Sequence, residues 1–164
     1  MNMISAPARY MSWLKSARSR IGESVGRFST MAVTKDDEIT VDRERVMVVS
    51  DITLDSGGSL VSPSTMERMV GREGELVLVN GAAKPDLKGR SGERERWRII
   101  NACTARYLAL RLPEQRARVV GRDVGRLPRD MALEDVVLAP GNRLDLVVDL
   151  SEGGSELIAM PVDR

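Results

Sequence analysis

The sequence of 164 residues contains no histidine. This absence excludes a Ser-His-Asp triad, a Cys-His pair and an imidazole general base. It also excludes zinc sites built on histidine and a blue-copper centre, which needs two histidines around a cysteine. Any catalysis by this chain alone would have to rest on carboxylates, Lys, Arg, Ser or Tyr.

Cysteine and aromatic residues are scarce. The single cysteine, Cys103, cannot form an internal disulfide bond or a thiolate cluster for zinc or iron–sulfur. A lone cysteine is more often a small buried apolar residue than a nucleophile, and only nearby arginines could activate its thiol. Because Trp, Tyr and Phe number only 2, 2 and 1, the core must consist mainly of Val, Leu, Ile, Met and Ala.

Long apolar runs and an excess of either charge are also missing. No run approaches the roughly 20 apolar residues of a transmembrane helix. The 25 basic and 24 acidic residues give a net charge of +1, which does not favour nucleic-acid binding. Arg94, Arg96 and Arg98 alternate along one predicted strand, but Glu93 and Glu95 are interleaved with them. This pattern predicts a solvent-exposed strand face or a domain interface with acidic partners.

The first 30 residues differ from the rest of the chain. They carry five basic residues and one acidic residue, so the remainder has 25 − 5 = 20 basic and 24 − 1 = 23 acidic residues. Steps of three and four, typical of one helix face, separate the apolar residues Tyr10, Trp13, Leu14, Ala17, Ile21, Val25 and Phe28. We predict that residues 1–40 form a basic amphipathic extension, helical or loose, outside the folded domain.

Several roles are open for this extension. It could be weakly ordered, or it could be a helix docked on the domain. It could lie on an anionic membrane, or act as a presequence rich in Arg and Ser. It lacks the continuous apolar stretch of a secretory signal.

Short apolar runs separated by turn residues follow from about residue 41. They predict strands near residues 46–51, 75–79, 94–99, 108–112, 117–120, 136–138, 144–150 and 157–160. Turn signals recur at roughly 8–12 residues, as in sandwiches, and no long helical pattern interrupts them. We therefore predict an all-β, antiparallel Greek-key sandwich over residues 42–164. Its predicted inward side chains are Trp97, Ile99, Leu108, Leu110, Leu144, Leu146 and Val148.

Three smaller features have structural and chemical interpretations. Residues 64–70 predict a short helix with Met66, Met69 and Val70 inward. The glycines at 71 and 74 predict a turn, since the Lys-Ser/Thr of a phosphate loop is missing. The third feature is a set of four acidic residues: Asp145, Asp149, Glu134 and Asp135. Such carboxylates could act in acid–base catalysis or bind a divalent cation, but the spacing fits an outward polar face equally well.

The order of segments resembles the second domain of multicopper oxidases, the superfamily that includes laccases. The similar segments are residues 44–51, 69–74, 78–81, 96–102 and 106–110, followed by Asp123, Gly125, Pro128 and residues 139–143. They resemble the family's NG-x-x-x-P turn, its strand of alternating Arg and apolar residues, its Asn-Ala corner, its DGG-and-proline turn and its PGER motif. Departures are Asn142 in place of the usual Glu, Val124 in the DGG turn, and Pro113-Glu-Gln115 in place of a Gly-His pair.

The resemblance implies a cupredoxin fold and a defined place for copper. In the three-domain form, copper lies in the first and last domains, held by H-x-H and H-C-H motifs, and the middle domain usually binds none. A chain without histidine matches that middle domain. We therefore predict no catalytic, cofactor-binding or metal-binding residue in this chain, copper only in an intact parent, and a sequence that is a fragment of a longer or broken gene product.

The resemblance also sets the expectations for function. The leading hypothesis is a structural, non-catalytic domain of an oxidase whose intact form oxidises phenols or metal ions. The alternative is a stand-alone, copper-free binding or scaffolding module. The expected partners are sister cupredoxin domains or a second copy of the chain, and no nucleic acid is expected. Membrane contact is expected less than these and only through the extension. The compartment of this chain stays open, whereas a periplasmic or secreted location is expected for the family parent.

Overall fold

A computed structural model describes residues 39–123, 125–160 and 162. Strands dominate these residues, and the only α-helix among them has six residues. The elements are β1 (Arg43–Ile52), α1 (Thr65–Val70), β2 (Leu76–Val79), β3 (Arg94–Asn101), β4 (Leu108–Arg111), β5 (Arg116–Arg122), β6 (Gly125–Ala132), a 3₁₀ turn (Leu133–Asp135), β7 (Val137–Leu138), β8 (Arg143–Asp149) and β9 (Ile158–Met160).

The strands form two sheets. The larger has six strands in the order β2-β1-β3-β8-β5-β6, and the smaller has three in the order β7-β4-β9. The chain passes from one sheet to the other between β3, β4 and β5, and again between β7, β8 and β9, as in Greek-key sandwiches. Hence the prediction of an all-β sandwich is confirmed.

The core lies between the sheets. All seven side chains predicted to face inward belong to one buried apolar cluster: Trp97, Ile99, Leu108, Leu110, Leu144, Leu146 and Val148. Met47, Val119 and Leu138 extend this cluster to β1, β5 and β7. Alternation along the strands therefore places Arg94, Arg96 and Arg98 of β3, and Asp145 and Asp149 of β8, on the outer face of the large sheet.

Two strand predictions need correction. The sheet is mixed rather than antiparallel, because β1 pairs in parallel with β3. The connection between them contains α1 and β2, which gives the chain enough length to return to the same end of the sheet. The strand β6 was missed altogether. It contains Pro128 and is exposed along most of its length, so it lacks the apolar alternation of a buried strand.

The short helix was predicted, but its orientation was wrong. Ser64 caps α1 through a reciprocal capping box with Glu67, and Gly71 ends the helix at a positive φ of 84°. The residues predicted to face inward, Met66, Met69 and Val70, are 66%, 78% and 66% exposed. The helix instead turns polar side chains towards the domain.

Arginine side chains tie α1 to the segment that leads into it. Arg68 Nε donates a hydrogen bond to the Pro63 carbonyl, and Arg72 Nη2 donates one to the Val61 carbonyl. Glu67 and Arg68 line a small cleft together with Asp51 and Thr104. A helix of six residues has little apolar area to bury, and none of its side chains is buried.

The predicted division into residues 1–40 and 42–164 stays a prediction. Residues 1–38, with the amphipathic pattern, lie outside the described residues. Among the described residues, no helix is long and apolar enough to cross a membrane.

Candidate functional site

The outer face of the large sheet carries interleaved arginine and carboxylate side chains, here called the ion-pair face: Glu44, Arg94, Arg96, Arg98, Asp145 and Asp149. Arg94 Nε lies 2.6 Å from Asp149 Oδ1. Arg96 Nη2 lies 2.5 Å from Asp145 Oδ2, and Arg98 Nη2 lies 3.3 Å from Glu44 Oε2. Each arginine of the alternating run therefore has a carboxylate on a neighbouring strand.

Solvent exposure differs between the arginines of the ion-pair face. Arg94 is exposed as expected, but Arg96 and Arg98 are only 4% and 5% exposed. The expectation of a solvent-exposed strand face is thus wrong for these two residues. Buried guanidinium groups are tolerated only when carboxylates and hydrogen bonds compensate them, so the pairs with β1 and β8 are structural.

A second charged group lies at the edge of the core. Glu95 is fully buried, and its carboxylate accepts two hydrogen bonds from Arg45, at 2.5 and 2.7 Å. It accepts a third hydrogen bond from Trp97 Nε1 at 2.7 Å. Arg43 and Arg45 also donate to the Lys88 carbonyl, which fixes the loop between β2 and β3. We call Arg43, Arg45, Glu95 and Trp97 the Glu95 cluster.

The environment of Glu95 favours its charged form. Burial alone would raise the pKa of this carboxyl, since a charge is poorly solvated in the interior. The hydrogen bonds from Arg45 and Trp97 and the positive charges of Arg45 and Arg43 outweigh burial, so the pKa of Glu95 lies below its ordinary value. The same contacts raise the pKa of Arg45, chiefly through its hydrogen bond to Glu95.

The turn before β2 is tied to the rest of the domain by Asp51 and Arg106. Asp51 Oδ2 accepts hydrogen bonds from the Gly74 amide at 2.7 Å and from Arg106 Nε at 3.1 Å. Arg106 Nη2 also donates to the Gly74 carbonyl at 2.6 Å. A Cβ at Gly74 would lie 2.4 Å from the Ile52 backbone nitrogen, so no larger residue fits. These glycines mark a turn, as predicted.

Asn101 organises the corner after β3. Its side chain is fully buried and donates to the carbonyls of Arg106 and Leu138, at 2.8 and 3.0 Å. Its Oδ1 accepts from the Cys103 amide at 3.1 Å. This one amide side chain therefore links both sheets at the position where the sequence resembles the Asn-Ala corner.

Asn142, where the resembling family has Glu, lies against Asp123. Its Nδ2 donates to Asp123 Oδ2 at 3.2 Å, while its Oδ1 accepts from the Ala139 amide at 3.0 Å. Asp123 Oδ1 also accepts from the Arg143 amide at 2.8 Å. The departure at position 142 thus places a neutral hydrogen-bond donor next to the carboxylate of Asp123.

Cys103 is unsuited to redox or metal chemistry. It is 4% exposed, and burial raises the pKa of its thiol to about 12, with the nearby Asp51 charge acting in the same direction. Its Sγ lies 3.8 Å from the Val49 carbonyl oxygen. The thiol therefore stays protonated at neutral pH and packs as a small apolar group, the more common role for a lone cysteine.

The acidic residues considered as a catalytic or metal site are not brought together for that purpose. Asp145 and Asp149 lie on the ion-pair face and contact arginines. Glu134 and Asp135 are exposed in the 3₁₀ turn before β7, next to the buried Leu133. Among the described residues, no three His, Cys, Asp or Glu side chains are grouped so as to hold a metal ion.

Several key residues gave no signal in the sequence. Arg45 and Glu95 are 50 positions apart, and Asp51 and Arg106 are 55 apart. Only the parallel register of β1 against β3 brings the first pair together, and that register was not predicted. Charge alternation alone cannot reveal which carboxylate a given arginine contacts.

The chain is similar to proteins of two kinds. It is 36% identical over 109 residues to the cell division protein FtsP of Dickeya dadantii, which covers 65% of this chain and 22% of that protein. It is 32% identical over 126 residues to a laccase of Bacillus subtilis, covering 69% of this chain and 24% of the laccase. No protein-family model matches the sequence.

Solved structures give the same result. A multicopper oxidase from Campylobacter jejuni, described as a metallo-oxidase, superposes with a TM-score of 0.66 at 34% identity. The match covers 74% of this chain and 26% of that structure. The cupredoxin type of the sandwich is thereby confirmed. The chain spans only about a quarter of the length of these relatives.

Proposed function

We propose that this chain, which belongs to the multicopper oxidase superfamily, serves as a non-catalytic cupredoxin-like domain in the middle position of an oxidase. The proposal depends on which side chains of this chain could act as copper ligands. A cupredoxin sandwich is present, but the chain has no imidazole, and its one thiol is buried and protonated. Copper belongs to the family, yet the residues of this chain do not fit it.

The charged and polar clusters of this chain have structural roles. The ion-pair face, the Glu95 cluster and Asn101 all fix strands and turns relative to one another. None of them presents a free nucleophile or an acid–base pair in a closed cleft. A domain that holds other domains at a fixed distance must be rigid, which such internal bonds provide, and it needs no catalytic residues. Oxidation of phenols or metal ions, and a periplasmic or secreted location, are proposed only for the intact parent.

A copper titration of the purified chain tests this proposal. We expect no intense blue absorption and no oxidation of a phenolic substrate above the rate with free copper. A Cys103→Ser variant should behave identically, because the thiol is not a ligand. An intact laccase serves as the positive control. Blue absorption or substrate oxidation that depends on Cys103 would contradict the proposal.

A second candidate function is a copper-free binding or scaffolding module. The similarity to FtsP favours it, since that relative is named as a division protein and not as an oxidase. Both candidates predict an inactive chain in the copper titration. They differ in the partner, because the first requires sister cupredoxin domains and the second an unrelated protein.

We propose sister cupredoxin domains as the partners. The relatives extend well beyond the matched region, so in them this domain is attached to further chain. The exposed apolar side chains of α1, Met66, Met69 and Val70, offer a contact surface on a helix held by its capping box. In the isolated chain this surface has no sister domain to cover it.

Light scattering over a range of concentrations tests this surface. We expect self-association of the isolated chain, and a shift towards the monomer in a Met69→Glu variant. Leu87→Glu, at a residue 40% exposed in the loop between β2 and β3, is the matched control and should associate like the unmodified chain. Monomeric behaviour of the unmodified chain at high concentration would contradict the proposal.

A further inference from the structure

The outer face of the small sheet is apolar except for Arg111, which is unusual for a sheet whose other face already covers the core. Register places Val137, Ala109 and Met160 side by side across the three strands, and Ile158 beside Arg111 in the next row. Because Leu108 and Leu110 face the core, these five side chains point the other way. We call them the small-sheet face. Val137, Ile158 and Met160 are 40%, 37% and 45% exposed.

Exposed acidic residues flank the strands of the small-sheet face along the chain. They are Glu114, Glu134, Asp135, Glu152 and Glu156. Two serine hydroxyls join the segment after β8 to the turn after β4. Ser151 donates to the Glu114 carbonyl at 2.8 Å, and Ser155 donates to the Pro113 carbonyl. One cation, Arg111, lies within the face, and Arg122 Nη2 donates to the Val137 carbonyl at 3.2 Å, but the exposed charged residues of the flanking turns are mainly acidic. The face therefore matches an apolar segment that carries positive charge.

The size of the patch favours an occupant on the same chain. Three short strands give an area of roughly 15 by 10 Å, from the usual strand spacing and rise. A stable complex between separate proteins buries about 800 Å² on each partner, several times more. A covalently connected segment needs less area, because its effective concentration reaches the millimolar range.

We propose that the small-sheet face binds residues 10–28 of the same chain. That segment has the matching composition, with seven apolar residues at helical spacing and, over the first 30 residues, five basic residues against one acidic. It lies outside the described residues. Its apolar positions would cover Val137, Ile158 and Met160, and its basic positions would face the flanking acidic residues. The proposal is independent of the absence of copper.

The connection is long enough. The Asp42 amide donates a hydrogen bond to the Arg94 carbonyl, and Arg94 and Arg116 are both register partners of Asp149. The strands β1 and β5 therefore begin at the same end of the sandwich. The turn that follows Arg111 leads into β5 at that end. Residues 29–42 can span up to about 46 Å when extended. Packed sheets lie only about 10 Å apart, so the segment reaches the small-sheet face easily.

The fluorescence of Trp13 tests the proposal in the full chain. The spectrum of Trp13 is obtained by subtracting the spectrum of a Trp13→Phe variant, which leaves only Trp97. We expect a blue-shifted Trp13 emission that is protected from quenching by iodide. A Met160→Glu variant should lose both the blue shift of the Trp13 emission and its protection from iodide. The substitution places a charge in the apolar patch, and because Met160 faces away from the core it leaves the core packing unchanged. Leu87→Glu, at a residue 40% exposed in the loop between β2 and β3, is the matched control and should keep both.

Charge and folding are checked separately. A Glu156→Lys variant should weaken the protection of Trp13, and so should high salt, since the screening length falls from about 10 Å at 0.1 M to 3 Å at 1 M. Thermal unfolding of Met160→Glu should remain cooperative, which shows that the loss of protection is not a loss of the fold.

Three outcomes would overturn the proposal. Trp13 could have water-exposed emission in the unmodified chain at a concentration where it is monomeric. It could be protected equally in the unmodified chain and in Met160→Glu. Finally, its emission could shift to the blue only on adding vesicles of equal phosphatidylcholine and phosphatidylglycerol, which would assign the segment to an anionic membrane surface.

Discussion

Replacing Glu95 with alanine is expected to lower the free energy of unfolding by about 3–5 kcal/mol, the range for removing one partner of a buried ion pair. The carboxylate is fully buried and accepts hydrogen bonds from Arg45 and Trp97. Its removal leaves the Arg45 guanidinium, 19% exposed, without its partner at 2.5 Å. It also leaves the indole N–H without an acceptor. Urea unfolding followed by circular dichroism measures the change.

Asp149→Ala is the matched control. It removes a carboxylate that also lies 2.6 Å from an arginine nitrogen, but Asp149 and Arg94 are 31% and 48% exposed. Exposed pairs of this kind are screened by water and contribute little, so Asp149→Ala should lower the stability far less than Glu95→Ala. Equal losses for Glu95→Ala and Asp149→Ala would show that burial does not distinguish the two pairs, and that the Glu95 cluster is not a structural centre.

The contribution of Glu95 should also depend on pH. Its pKa is lower in the folded chain than its ordinary value of 4.5, so the folded state binds fewer protons than the unfolded state. The stabilisation is therefore complete above the ordinary pKa and is lost as the pH falls through the lower folded value. The difference in stability between the unmodified chain and Glu95→Ala should shrink below about pH 4 in the same urea experiment.

The sandwich was predictable because its strands carry local signals. Leu144, Leu146 and Val148 alternate with polar residues, and the structure buries all three. Alternation specifies which face of a strand meets the core, whatever its neighbours in the sheet. The turn at Gly74 was also correctly located, since a residue with a Cβ does not fit there. The corner at Asn101 was indicated by the family resemblance alone.

The remaining features depend on contacts between distant segments. The sequence gives no indication that β1 runs parallel to β3, and without that register neither the Glu95 cluster nor the burial of Arg96 and Arg98 follows. In α1, helical spacing correctly indicated a helix, but it did not indicate that Met66, Met69 and Val70 would be exposed. The prediction that the chain has no catalytic or metal site rests on its composition and stays a prediction.

A Leu146→Ala variant is expected to lose about 2–5 kcal/mol of unfolding free energy, through lost apolar burial and the cavity left behind. Leu146 is fully buried and pairs with Trp97 on β3 and with Val119 on β5, so it occupies the centre of the large sheet's core face. Little nearby can move to fill the space, because strands on both sides hold its neighbours in register.

Leu60→Ala removes the same atoms from a side chain that is 50% exposed, and it should change the unfolding free energy by no more than about 0.5 kcal/mol. Both variants are compared by urea unfolding with a common m-value, because a changed slope would indicate an altered unfolded state. A loss at Leu146 as small as that at Leu60 would mean that β8 does not hold the register seen here. The assignment of Leu144, Leu146 and Val148 to the core would then fail together, since a shift by one residue turns all three to the opposite face.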